Sequence, residues 1–408
     1  MSIQTGIDRI ITAVGAAYDA VEAKGGTAPA AQTIEGLAGA ISGIKSAPTT
    51  PYMEAEYGVG EDPDGITSHY IKRAKLYNHT AIYTYEFAGQ NQLKNLDFSD
   101  ASNNITAIEA MAFNQAQVNG LVLPNTISVL GNGCFNSAYI TTLTVPPLVT
   151  VLPNNAFFII QPLYNNETGE ELPINIILPQ NLTKIGISCF DGALIKQIAI
   201  PDTVTEIGAN AFNYCEQLAS IALPSGLQKI SSRMLADCRS LTSITIPASV
   251  TEIASQAFAS SGLTSITIPS TVTTLGSSAF NNCASLAHID IQAHVIEIPE
   301  GFAEESGRTS VTLPDTVETI GRSAFISSRA NLTEITIPAS VTSIGDYAFV
   351  QNESMTTITC LAATPPTLGR NAFAMDSINT TIKVPAASVA AYKAADGWKD
   401  YANYIVAM

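Results

Sequence analysis

Charge is the scarcest property of this 408-residue chain: 13 % of its residues are Asp, Glu, Lys or Arg, against about 25 % in an ordinary domain. Its surface must therefore rely on Ser, Thr and Asn for solubility. Positive charge is scarcer still. Lys plus Arg number 19 against 35 Asp plus Glu, a net charge of −16. Such a field repels phosphate backbones and anionic lipid, so neither nucleic acid nor a membrane surface is an expected partner. No run approaches the roughly 18 uninterrupted apolar residues of a spanning helix, so no membrane insertion is expected. Histidine occurs four times, and no G-x-S-x-G, H-E-x-x-H, phosphate-loop or G-x-G-x-x-G run is present. No enzyme activity, catalytic residue, metal or cofactor is expected. Apolar residues make up 46 % of the chain, which excludes global disorder. The length exceeds one ordinary core and implies several units or a repeat array.

The opening, MSIQTGIDRIITAVGAAYDA, does not read as a secretory leader, because Asp8 and Arg9 interrupt its apolar stretch. Folding in the cytoplasm is the expectation. Ile3, Ile7, Ile10, Val14, Ala17 and Val21 recur at steps of 4, 3, 4, 3 and 4, a heptad seam. Its β-branched residues favour three or four helices, a homotrimer first. Gly25 and Gly26 stop that helix, and Thr33 can cap a second one carrying Ile34, Leu37, Ile41 and Ile44. The two stripes either face each other in a hairpin or leave the first helix free to self-associate. Residues 1–45 thus read as a helical attachment or oligomerisation segment. Residues 46–92 read as a linker and a small, turn-rich β segment that caps the remainder of the chain. Within it, GEDPDGIT (Gly60 to Thr67) reads as an acidic turn, since a calcium loop needs more ligands and a closing Glu.

From about Leu93 the chain repeats itself. LTSITIPASVTEIASQAFASSG (Leu241 to Gly262) is followed by LTSITIPSTVTTLGSSAFNNCAS (Leu263 to Ser285). An anchor recurs at Phe113, Phe135, Phe157, Phe190, Phe212, Leu235, Phe258, Phe280, Phe302, Phe325, Phe349 and Phe373. One interval, Phe157 to Phe190, is longer by about eleven residues around IIQPLYNNETGEEL, which maps to a protruding loop. In LTSITIP the apolar residues alternate like a half-buried strand, and proline ends it because it has no N–H to donate. One coil cannot bury its own apolar set, so coils must stack into a continuous core with parallel sheets. The expected fold is a β-rich repeat solenoid of short parallel strands over residues 93–384, about a dozen coils. It is preceded by the small helical segment and closed by a helical cap at 385–408, where Trp398, Tyr401 and Tyr404 would cover the last coil's edge.

The exposed strand positions form a ladder: Ser243 and Thr245, Ser265 and Thr267, His288 and Asp290, Ser310 and Thr312, then Glu334, Thr336, Thr357 and Thr359. Such a row of hydroxyls suits a glycan or another extended polymer, although Thr is also simply a good strand former. Tyr164, Asn165 and Asn166 on the inserted loop, beside Glu167, are the other candidate contacts. His288, Asp290 and His294 share one repeat, but their strand positions argue against a metal site. Cys134 and Cys189 take the small slot before the anchor, and Cys215, Cys238 and Cys283 follow it by three. Packed free thiols are the expectation, with a Cys215–Cys238 bridge left open.

The unit LxxIxIPxxVTxIGxxAFxxC resembles the BspA-like class of leucine-rich repeats over roughly Leu93 to Val384, and the ending VPAASVAAYKAADGW is similar to that class's terminal cap. GIDRIITAVGAAYDAVEAKGG, LAGAISGI and the YMEAEYG…LYNHTAIYTYEFAGQ stretch are similar to the start of bacteriophage tail and fibre proteins of Gram-positive gut bacteria. Those proteins commonly carry the same repeats behind a helical attachment segment. The resemblance implies a virion protein of the tail fibre or baseplate. Its helices would dock onto other tail proteins, and its solenoid would meet a glycan or protein of the host surface. The same repeats imply an alternative, a bacterial cell-surface adhesin. Adhesins of this class usually carry a leader and a sorting motif, and neither is visible here, which favours the virion.

Overall fold

One coil explains most of the molecule. In Ser265–Ile268 the side chains of Ile266 and Ile268 are buried while Ser265 and Thr267 are exposed, the alternation a half-buried strand requires. The strand pairs in parallel with His288–Ile291, and that strand with Ser310–Thr312, each residue opposite its counterpart one coil away. Pro269 stops the strand, and its carbonyl accepts from Val272 N–H (3.1 Å), turning the chain. A second, two-residue strand comes next at Thr274–Leu275 and pairs in parallel with Glu252–Ile253. Gly276 then lets the chain pass close to its neighbour: a Cβ there would lie 2.2 Å from Ser255 N. The coil closes through the A-F turn. Parallel, in-register pairing of successive coils recurs through the solenoid, a β-solenoid of parallel strands of the leucine-rich-repeat type.

The A-F turn is held from two sides. Around Phe113, alternate amides bond within the turn (Asn114 N–H to Met111 O, Ala116 N–H to Phe113 O) and to the next coil (Phe113 N–H to Cys134 O, Gln115 N–H to Asn136 O). To face both ways, two residues per turn adopt left-handed backbone, such as Met111 and Gln115, or Gln256 and Ser260. Left-handed backbone costs a non-glycine residue roughly 1–2 kcal/mol, which the shared amide ladder offsets. The anchors stack inside. Phe87, Phe113, Phe135, Phe157, Phe190 and Phe212 lie 5.1–5.5 Å apart with planes within 13°. That spacing is set by the strand separation, so the rings stack offset.

This computed structural model describes residues 51–408 apart from 62–66, 91–92, 94, 119, 166–167, 328–331 and 374–379, and only the backbone of 58–61 and 67–70. The seam of Ile3, Ile7, Ile10, Val14, Ala17, Val21, Leu37 and Ile41, the trimer it suggests, and most of the acidic turn lie outside the described residues. Met53–Met408 form one compact unit. It begins with β1 (Tyr52–Glu61) and β2 (Thr67–Tyr77), strands of 10 and 11 residues within what was expected to be a small, turn-rich β segment. Alternation carries them: Met53 and Ala55 pack on the core while Glu54 and Glu56 are exposed. The first anchor is Phe87, earlier than the sequence pattern suggested. Below it the buried His79 Nε2 meets Glu86 Oε1 at 2.9 Å, and its Nδ1 bonds Tyr77 O. At the other end the helix α1 (Val389–Ala394) comes after Pro385, and Ile405–Ala407 adds a last parallel strand beside Thr381–Val384. Trp398 is fully buried, and its Nε1–H donates to Pro366 O at 2.7 Å.

One anchor is misplaced by the sequence pattern. Phe280 N–H donates to Phe302 O, whereas Phe258 N–H donates to Ala279 O. Phe302 therefore occupies the small slot, and Ala303 holds the anchor position. The order is F-A instead of A-F, so the rings of Phe280, Phe302 and Phe325 meet edge-on at 78° and 80°. The same coil replaces its leucine. Arg308 stands where Leu263, Leu286 and Leu332 stand, and it is fully buried. Its guanidinium donates to Ala303 O, Phe325 O and Asn352 Oδ1 and lies over the Phe325 ring at 5.4 Å. Burial lowers its pKa to about 9, still above neutral pH, so the column holds a positive charge.

Candidate functional site

The LxxIxIP segments stack along one face as several short parallel sheets, and Leu241–Pro247, expected to be a strand, lies between them without strand pairing; the outward residues are the ones the sequence singled out. Ser243, Thr245, Ser265, Thr267, His288, Ser310 and Thr312 are exposed, and Asp290 is half-buried. Ser265, His288 and Ser310 stand abreast, as do Thr267, Asp290 and Thr312. Glu334 likewise faces Thr357, and Thr336 faces Thr359. His288 Nδ1 and Ser310 Oγ are 2.6 Å apart. A serine beside an imidazole is half of a nucleophilic pair, which needs a third group to orient the base. Asp290 instead accepts from Gln292 Nε2 at 2.8 Å. His294 lies beyond the strand, with Nδ1 3.4 Å from Ser270 O. Among the described residues, no three His, Cys, Asp or Glu side chains converge as metal ligands would.

The face changes character towards the amino end. At the outward slot usually held by Thr stand Ile177, Ala199 and Ala222, all exposed. The short alanines leave a trough of about 590 Å³ floored by them and rimmed by Asn175, Gln180, Gln197 and Ser220, with no charged residue in its lining. Beside it rises the inserted segment, a small hairpin. Tyr164 bridges Glu171 in antiparallel fashion, Asn165 N–H donates to Glu170 O (2.8 Å), and Gly169 N–H donates to Asn165 O (2.8 Å). The hairpin reaches two coils on, where Gln217 Nε2 donates to Glu171 Oε2 at 3.4 Å, and Ser220 at the trough rim is three residues further. Tyr164 is 55 % exposed. Asn166 lies outside the described residues. Sequence reading placed the candidate ladder further along, at 243–312. The signal for the trough was present in KQIAIP and LASIALP, where Ala breaks the run of hydroxyls.

Many hydroxyls serve the fold rather than a ligand. Ser249, Thr271, Thr316 and Ser340 precede the buried valine of their coils, and each Oγ donates to a carbonyl of the preceding coil at 2.7–3.0 Å. The cysteines act similarly. All six are free and buried, Cys215 and Cys238 included. Cys215, Cys238 and Cys283 donate to Phe190 O, Phe212 O and Phe258 O at 3.0–3.1 Å. Burial pushes Cys134, Cys238 and Cys360 up to about 12 and Cys283 up to about 11, and lifts Cys189 and Cys215 as well. These thiols stay protonated near neutral pH and are poor nucleophiles.

A stack of strand, turn and aromatic column defines a leucine-rich-repeat scaffold. Residues 80–174, 172–287 and 276–393 match the model of the BspA type leucine rich repeat region, in six copies. The chain belongs to that family. No curated protein matches it. Among solved structures it is similar to a leucine-rich repeat protein from Bacteroides ovatus (21 % identity, 87 % of this chain and 98 % of that one, TM-score 0.47). It is also similar to a leucine rich cell surface protein from Faecalibacterium prausnitzii (21 %, 81 % and 99 %, 0.37) and to the pneumococcal vaccine antigen PcpA (16 %, 86 % and 82 %, 0.39).

Proposed function

We propose that this chain is a bacterial cell-surface adhesin whose solenoid recognises an extended polymer, glycan or protein, along its exposed sheet face. The observation that carries this reading is the uncharged, alanine-floored trough with amide and hydroxyl rims beneath the inserted hairpin. It offers an apolar floor and hydrogen-bonding edges without a charged residue in its lining. The surface location is the one that membership of the BspA type repeat family implies. The reading is tested by attachment of the labelled full chain to bacterial or host cells. Ala199→Arg, which fills the trough, should abolish attachment while leaving the melting temperature within a few degrees of the parent's. Attachment that survives Ala199→Arg unchanged would overturn the assignment of the face.

The second reading is the virion protein, a tail fibre or baseplate receptor-binding protein located on the particle. It rests on the amino-terminal resemblance and on the heptad seam from Ile3 to Val21, which would supply homo-oligomeric docking onto other tail proteins. Antibody labelling decides between the two: label on intact cells supports the adhesin, and label on purified particles supports the virion.

A further inference from the structure

The last coil and the cap enclose a second hollow of about 630 Å³, lined by the turns that carry the anchors rather than by the strand face. Five of its residues set its chemistry. Tyr347 and Asn371 hold the same turn position in successive coils, both left-handed with φ of 60° and 50°. Elsewhere in the array that position takes Asn155, Ser188, Asn210, Ser278 or Ser323, and also Tyr85, Met111, Arg233 and Gln256. Tyr401 forms a fixed wall from the cap: its hydroxyl donates to Phe373 O (2.8 Å), and its ring meets Phe373 edge-on at 5.9 Å. Gly397 allows this approach, because at its φ of 81° a Cβ would lie 2.9 Å from Leu368 Cβ.

The fourth residue is Arg370, exposed on the rim. Among the described residues the other arginines have partners: Arg73 with Glu56, Arg233 with Asp237, Arg239 with Glu216, Arg322 with Glu300, and Arg308 within the column. Among the described residues the Arg370 guanidinium has none, in a chain where acids outnumber bases by 35 to 19. Asp400 lines the same hollow from the cap without forming an ion pair with it. An unpaired guanidinium, two aromatic walls, an amide and a separate carboxylate thus converge on one cavity.

We propose that this hollow binds an acidic sugar residue of a surface glycan, with the sugar carboxylate on Arg370, its ring between Tyr347 and Tyr401, and its hydroxyls on Asn371 and Asp400. The guanidinium fork matches a carboxylate in a bidentate way. The aromatic walls suit the apolar C–H face of a pyranose, and the Asp400 carboxylate accepts hydroxyl protons. A neutral sugar leaves the guanidinium without an anion. A phosphate leaves the aromatic walls unused. An acidic peptide side chain has no hydroxyls to offer Asp400. The inference rests on the recognition reading above and adds to the strand face a second contact, for an acidic residue of the same polymer.

The test titrates the full chain with glucuronic acid and N-acetylneuraminic acid as probes, followed by saturation-transfer NMR and calorimetry, with glucose and methyl glucuronate as neutral controls. Saturable binding of at least one acidic sugar is expected, weakened at least about tenfold for both neutral controls and in Arg370→Ala. Because the Arg370 side chain is exposed and only its backbone is bonded, to Asp346 Oδ1 and Tyr347 N–H, that variant should melt with the parent. Tyr347→Ala should weaken the same binding without shifting its preference for the acid. Equal binding of acidic and neutral sugars, no binding of either acid, or unchanged affinity in Arg370→Ala overturns the proposal. If cell attachment is nonetheless lost in Ala199→Arg, only the hollow has been misassigned; if the parent attaches to no cell, the wider reading fails whatever the sugars do.

Discussion

The column from Phe87 to Phe212 and the stretch from Phe280 to Phe349 use the same unit and fill it differently. In the first, six rings lie nearly parallel, 5.1–5.5 Å apart. In the second, the inverted Phe302–Ala303 pair turns the rings edge-on, and Arg308 replaces the inward leucine. The rung three places past the anchor changes with it. Cys215, Cys238 and Cys283 are followed by Ser306 and then Asn352, yet every one donates to the anchor carbonyl of the preceding coil. The lesson is that the coil specifies a volume and a set of carbonyls to satisfy, not a residue. Thiol, hydroxyl and amide all serve, and a guanidinium is accommodated where three carbonyl-type oxygens converge.

The comparison breaks most visibly at the regular column. Phe157→Ala should destabilise the solenoid by about 3–5 kcal/mol, since the rings on either side cannot collapse along a ladder fixed by backbone bonds. Urea unfolding with an unchanged slope would measure it, and a loss under about 1 kcal/mol would mean the stack is not the core. In the irregular stretch, Arg308→Leu restores the repeat's own residue and removes a buried charge. It should be neutral or stabilising by up to about 4 kcal/mol in the same assay, even though Asn352 loses a donor. A marked loss would show that the guanidinium network holds this part of the fold together.

Titration sharpens the contrast between rungs. The thiols ionise near 9 when unfolded, but folded they are raised, to about 12 for Cys238 and about 11 for Cys283. Their contribution is complete below pH 9 and is lost as pH climbs from 9 towards 12. Each thiol removes at most about 1.4 kcal/mol per pH unit in that window. Cys238→Ser should therefore flatten the alkaline limb of the stability curve by one thiol, while Ser306→Ala leaves its slope unchanged. The smallest effect is expected at the surface. Lys184 and Glu206 pair at 2.6 Å with 43 % and 61 % of their side chains exposed, so Lys184→Ala should cost under about 1 kcal/mol.

Much of this was legible in the residues. LTSITIP announces a half-buried strand ended by proline, which forms at Ser265–Ile268 but not in the copy at Leu241–Pro247; the A-F pair announces the inward anchor, and Pro385 with Val389 and Tyr392 announces the closing helix. The candidate site was legible only in part. Ser265, His288 and Ser310 were correctly placed abreast, but the trough at Ala199 and Ala222 was passed over because alanine reads as filler. The anchor at Phe302 was misread because the motif tolerates either order of Phe and Ala when only spacing is compared.

The sequence alone determined that this protein is a stack of coils, because each coil's strand, turn and inward residues follow from periodicity within some 22 residues. Tertiary structure decided what each slot touches: that Phe302 turns its ring, that Arg308 finds three acceptors, that Thr271 and Ser340 serve the backbone of the coil before them, and that the cap leaves a hollow against Arg370. Those outcomes depend on the register between coils and on the seating of the last element. Partners a full coil or more apart in the chain meet only after the ladder has set their alignment.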